Sequence, residues 1–180
     1  CALPISSDDM KADDDVVATA VKNNPDAIQF ASVVSKDTAL AVARNNGYNL
    51  EKLPDEMKSD KDVVMAAVAN NGYALQFASD DMKADEDVVA VAVKNNPDAI
   101  QFASVVSKDT ALAVASNNGY NLEKLPDEMK SDKDVVMAAV ANNGYALQFA
   151  SDDMKADDDV VAAAVKNNPD AIQFASSVSK

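Results

Sequence analysis

The sequence has no histidine and no tryptophan, a single cysteine (Cys1), a single arginine (Arg44) and only four glycines. Each shortage excludes something. Without histidine there is neither the usual general base nor a side chain that titrates near neutral pH. One cysteine forms no intrachain disulfide, and with no histidine beside it there is no Cys/His zinc site. One arginine among 16 basic residues, set against 30 acidic ones for a net charge of −14, leaves nothing to grip a phosphate backbone. Nucleic acid is therefore excluded as a partner, and an anionic membrane surface would repel the chain. No apolar run approaches the roughly 20 residues of a membrane span. All four glycines lie in Asn-Asn-Gly-Tyr turns, so no Gly-rich phosphate loop exists. Serines and threonines are present, but nothing is there to activate them, and the reading is of a protein that is not an enzyme and needs no cofactor.

What is present is repetition. Asn-Asn begins at residues 23, 45, 70, 95, 117, 142 and 167, at spacings of 22, 25, 25, 22, 25 and 25. Three spacings make a super-repeat of 72, and residues 37–108 align with 109–180 without gaps. The copies differ at four places, Arg44/Ser116, Glu86/Asp158, Val91/Ala163 and Val105/Ser177, which marks a tandem duplication. Residues 1–7 fall in register with Tyr73–Ser79, so residues 1–180 read as a single helical repeat array that starts in mid-unit.

Within a unit, Asp60 or Asp62 suits a helix N-cap, and Val63, Val64, Ala67 and Val68 follow on one stripe. The helix is expected to close at Asn71-Gly72, with glycine in the left-handed conformation. Units with Asn-Asn-Pro-Asp, as at Asn23–Asp26, place the joint differently: Asn as N-cap and Pro as the first helical residue. A second helix is read from Leu75, Ala78 and Met82, a stripe kept as Leu50, Leu53 and Met57. In the units at 37–59 and 109–131 the first helix reads as about two residues shorter, with Lys52 and Lys124 in the phenylalanine slot. Helices of about 8–10 residues do not persist alone in water, so stability must come from stacking. The fold class is all-α: an α-solenoid of about seven short hairpins.

The pattern Asp-x-x-Val-Val-x-x-Ala-Val-x-x-Asn-Gly-x-Ala-Leu-x-x-Ala-Ser, at Asp62–Ser79, Asp87–Ser104 and Asp134–Ser151, resembles a short helical-hairpin repeat family found in proteins of protists and unicellular algae. That family is a domain of unknown function with no assigned catalytic residues. The resemblance implies a helical array and no activity.

Two surface features remain. The acidic clusters, such as Asp80-Asp81 with Asp85-Glu86-Asp87, carry several carboxylates but lack the spacing, central Gly and closing Glu of an EF-hand. They read as helix caps, with weak divalent-cation binding as the alternative and no metal site assigned. The phenylalanines share one slot that also accepts lysine, so it lies at the boundary of the core. The irregular units break the pattern, and function is found where local consistency breaks. The edge formed by Arg44, Tyr48, Asn49 and Lys52, with Tyr120, Asn121 and Lys124 as its twin, is accordingly expected to contact a partner. The competing expectation is that these units only set curvature.

The expected role is a non-catalytic scaffold for protein–protein interaction. The alternative is a soluble accessory or linker subunit of a large complex, such as a photosynthetic membrane complex. The resemblance to algal repeats and a start in mid-unit without Met motivate it, and it would place the chain in the plastid, at the thylakoid.

Overall fold

The computed structural model describes residues 8–176. The chain forms two compact units, Cys1–Val105 and Val106–Lys180. The first holds α1 (Asp8–Lys11), α2 (Asp14–Asn23), η1 (Pro25–Phe30), α3 (Lys36–Asn45), η2 (Gly47–Lys52), α4 (Asp55–Lys58), α5 (Lys61–Asn70), η3 (Gly72–Phe77), α6 (Asp80–Lys83), α7 (Glu86–Asn95) and η4 (Pro97–Phe102), where η marks a 3-10 helix. The second holds α8 (Lys108–Asn117), η5 (Gly119–Lys124), α9 (Asp127–Lys130), α10 (Lys133–Asn142), η6 (Gly144–Phe149), α11 (Asp152–Lys155), α12 (Asp158–Asn167) and η7 (Pro169–Phe174). Both are all-α stacks of helical hairpins, solenoid-like in construction, and no strand occurs among the described residues. No helix there is long and apolar enough to cross a membrane.

Each hairpin is one ten-residue α-helix and one six-residue 3-10 helix. Asp60 caps α5, accepting hydrogen bonds from the backbone N–H groups of Asp62 and Val63. Of the two aspartates considered for the cap, Asp60 therefore does the work and Asp62 lies in the first turn. Val63, Val64, Ala67 and Val68 are buried, as their spacing requires.

The second helix differs from its expectation. It is a 3-10 helix that stops at Ala78, and Met82 belongs to the separate four-residue α6. In a 3-10 helix residues i and i+3 eclipse. Gly72, Leu75 and Ala78 thus form one buried line against the α-helices. Sequence spacing of three at this length fits both helix types, and only the packing chooses.

Three further expectations are corrected. No described glycine has a positive φ, so Gly72 does not close α5 through the left-handed region. The joint is instead an extended Asn71 (φ −149°, ψ 112°) whose side chain accepts from the backbone N–H of Tyr73. Asn24, before Pro25, does the same for Asp26, so both sequence variants use one device. Finally, α3 and α8 have ten residues like α5 and are not shortened. In the first unit the missing residues fall between η1 and α3, where residues 31–35 replace a four-residue helix.

Within each unit, hairpins are tied by recurring polar contacts. The backbone N–H of Ser79 donates to the carbonyl of Lys58 at 3.0 Å, that of Ser104 to Lys83 at 2.9 Å and that of Ser151 to Lys130 at 3.0 Å. The first asparagine of four pairs, Asn70, Asn95, Asn142 and Asn167, acts between hairpins. Asn70 Oδ1 accepts from the N–H of Gly47 at 2.8 Å while its Nδ2 donates to the carbonyl of Arg44 at 3.1 Å. Asn95 clasps Gly72 and Ala69 in the same way, and Asn167 clasps Gly144 and Ala141.

Candidate interaction surface

The 3-10 helices carry the aromatic residues. Tyr48 on η2 meets Phe77 on η3 edge-on, ring centroids 6.1 Å apart, and Tyr73 meets Phe102 at 6.2 Å. In the second unit Tyr120 meets Phe149 at 6.1 Å and Tyr145 meets Phe174 at 6.3 Å. Each tyrosine therefore braces the phenylalanine of the next hairpin, an arrangement that favours the positive ring edge against the negative face. The phenylalanine slot lies at the boundary: Phe77, Phe102, Phe149 and Phe174 are half-buried and Phe30 is exposed. Tyr48 and Tyr120 stand out from the row at 40% and 43% exposure.

The expected contact residues divide. Arg44 is exposed in the last turn of α3, and Tyr48 and Lys52 lie on η2. Lys52 pairs with Asp26 of the preceding hairpin, so its charge is shared within the fold. Tyr120 and Lys124 are exposed on η5. Asn49 and Asn121 are buried and drop out of the surface, because their place on the 3-10 helix faces the α-helix before it: Asn49 Nδ2 points to the carbonyl of Val42 at 3.5 Å.

The acidic residues organise a second feature that composition did not reveal. Lys36 bridges Asp60 at 3.0 Å and Asp62 at 2.6 Å, and Lys61 bridges Asp85 at 2.9 Å and Asp87 at 2.7 Å. Lys108 and Lys133 repeat this with Asp132/Asp134 and Asp157/Asp159. Lysine at the first helical position, 24 and 26 residues before two aspartates, was the signal available in the sequence. Among the described residues no three acidic, cysteine or histidine side chains gather to hold a metal ion.

This ladder sets a pH dependence. The hydrogen bond from Lys61 holds Asp85 below the ordinary carboxylate value of 3.8, and Lys108 and Lys133 do so for Asp132 and Asp157. Burial pushes Asp60 upward, but bonds from Lys36 and the N–H of Val63 more than offset it, and it too ends low. The four lysines are raised above 10.5 by their aspartate bonds. A depressed carboxylate stabilises the fold above its unfolded value and loses that contribution as pH falls through the folded one; a raised lysine loses its own as pH climbs through its folded value. Melting temperature should therefore be level from about pH 5 to 9 and fall on both sides. Lys61→Met should flatten the acid limb; a Lys61→Met curve parallel to wild type below pH 4 would show the bridges contribute nothing.

A family model for Domain of unknown function (DUF4116) matches residues 35–83, 62–105, 107–155 and 135–177. The match at 35–83 runs from the start of α3 to the end of α6, so the family's unit is two successive hairpins. No curated protein and no solved structure matches the chain.

Proposed function

Given that the chain belongs to the family of domains of unknown function DUF4116, we propose that it is a non-catalytic repeat scaffold that binds protein partners through the edge of its 3-10 helices. One observation carries this reading: tyrosines braced by phenylalanines stand along η2 and η5, with Tyr48 and Tyr120 at 40% and 43% exposure. A tyrosine held by its neighbour offers a large amphipathic surface at little entropic cost, which is why tyrosine anchors interfaces. Arg44, exposed in the last turn of α3, is the other residue type enriched in such anchors. The narrower role of an accessory subunit at the thylakoid is supported by the resemblance to algal repeats, and the partner's identity decides it.

A photo-crosslinking phenylalanine analogue placed at 48 and at 120 tests the edge in extract of the source cells. Both positions should capture the same protein. Probes at Asp55 and Asp127, whose side chains are fully exposed on α4 and α9, should not. Equal capture at all four positions, or none at 48 and 120, would sink the proposal.

A further inference from the structure

Four of the seven Asn-Asn pairs run on into glycine, at Asn46-Gly47, Asn71-Gly72, Asn118-Gly119 and Asn143-Gly144. Asn-Gly is the dipeptide in which an asparagine side chain cyclises most readily, because no Cβ on the following residue obstructs its backbone nitrogen. The other three pairs run into proline, whose nitrogen has no proton to give up. The repeat thus sets four reactive joints and three inert ones at a single register position.

In the fold the two reacting groups are treated differently. Asn46 and Asn118 are exposed, whereas Gly47 and Gly119 are buried. The N–H of Gly47 donates to Asn70 Oδ1 at 2.8 Å, and that of Gly119 to Asn142 Oδ1 at 2.9 Å. The N–H of Gly72 donates to Asn95 Oδ1 at 2.7 Å, and that of Gly144 reaches both Asn167 and Asn168, at 2.9 and 2.8 Å. The asparagine before each glycine is tied as well: Asn46 Oδ1 accepts from the N–H of Tyr48 at 3.0 Å, and Asn118 Oδ1 from that of Tyr120 at 3.1 Å. An amide nitrogen becomes a nucleophile only when a base takes its proton. A proton that is buried and bonded to the next hairpin stays out of reach of solvent base until the joint opens.

We propose that Asn46, Asn71, Asn118 and Asn143 are deamidation sites, held dormant by the asparagine clasp of the following hairpin and converted when that hairpin lets go. The Gly47 N–H gives its proton to solvent base, and the nitrogen attacks Asn46 Cγ. A C–N bond forms, the Cγ–Nδ2 bond breaks, and Nδ2 takes up a proton and leaves as ammonia. Water then opens the cyclic imide at either carbonyl, which leaves aspartate or isoaspartate at position 46. Both products put a new carboxylate at the joint. Isoaspartate also adds a methylene to the backbone between α3 and Tyr48, so Gly47 no longer comes into register with Asn70. Each conversion therefore records a past separation of neighbouring hairpins. The inference does not depend on the scaffold reading.

The test incubates the full chain at one mildly alkaline pH, native and in concentrated guanidinium chloride, and follows tryptic peptides by mass and chromatography. Asn46 falls in peptide 45–52 and Asn118 in peptide 109–124, which differ. Peptides 62–83 and 134–155 are identical, but Asn70→Ala makes the first distinct and so resolves Asn71 from Asn143. Both Asn46 and Asn118 should convert in the denatured chain. In the native chain each should slow by the hydrogen-exchange protection factor of its glycine N–H, to within about ten-fold, because both processes wait for release of the same proton. A much smaller slowing would show cyclisation bypassing the clasp, and a much larger one would make backbone geometry the barrier; either overturns the proposal. Asn70→Ala should speed Asn46 on the order of ten-fold, the worth of one or two neutral hydrogen bonds, and leave Asn71 and Asn118 at their native rates. With the helical circular-dichroism spectrum intact, a rise at 46, 71 and 118 alike, or none at 46, would overturn it too. The exchange comparison uses only the wild-type chain, so it decides the matter even where the variant fails to fold.

Discussion

Gly72→Ala is expected to destabilise the fold by on the order of 3 kcal/mol, although alanine is normally the better residue. A Cβ at Gly72 would lie 2.2 Å from the carbonyl oxygen of Ala92, and 3.1 Å from that residue's carbonyl carbon. Backbone cannot swing aside as a side-chain tip can. Hairpin and neighbouring helix would have to part, lengthening the bond from the Gly72 N–H to Asn95 and lifting the buried line of Leu75 and Ala78. A Cβ at Gly47, Gly119 or Gly144 would lie 2.4, 2.4 or 2.2 Å from a carbonyl oxygen. Were Gly72 only a flexible turn residue, alanine would stabilise the protein by about 0.4–1 kcal/mol through the unfolded chain. The two accounts differ in sign, and chemical denaturation of the two proteins decides between them.

Leu147→Ala should cost about 2–5 kcal/mol, while Ile172→Ala, at the same repeat position one hairpin later, should cost about 0.5 kcal/mol or less. Leu147 is fully buried, with η6 packed against both α10 and α12, whereas Ile172 on η7 is 57% exposed. The residues have similar size and both precede Gln-Phe-Ala-Ser. Among the described residues η6 packs against two ten-residue helices and η7 chiefly against α12, so the difference measures what stacking contributes. Equal losses at the two sites would mean each hairpin buries its own core, contrary to a stacked repeat. Thermal and denaturant melts of both variants give the comparison directly.

The α-helices were legible because burial of Val63, Val64, Ala67 and Val68 imposes a period that aspartate caps and Asn-Asn stops delimit. The 3-10 helices were not. Leu75 and Ala78 are three apart in either helix type, and nothing local says whether the turn tightens. What the glycine and proline units share is the asparagine that holds the N–H two residues on, Asn71 on Tyr73 and Asn96 on Asp98. Exposure along the 3-10 helices was half legible for the same reason. Tyr48 and Tyr120 were placed correctly at the surface by their turn position. Asn49 and Asn121 turned inward because a 3-10 helix rotates its third residue toward the preceding α-helix, a rotation that polarity does not report.

By itself the sequence determined the repeat, its 72-residue period and its helical class, because periodic burial and capping are local and each unit states them again. Its composition also leaves no histidine and no second cysteine among these 180 residues. The tertiary structure decided which asparagine clasps and which caps, why Gly72 leaves no room for a Cβ, and how lysine and aspartate pair across hairpins. Those are distances between neighbours in the stack. A residue's own identity fixes what it can bond, but only the adjacent hairpin fixes what is within reach.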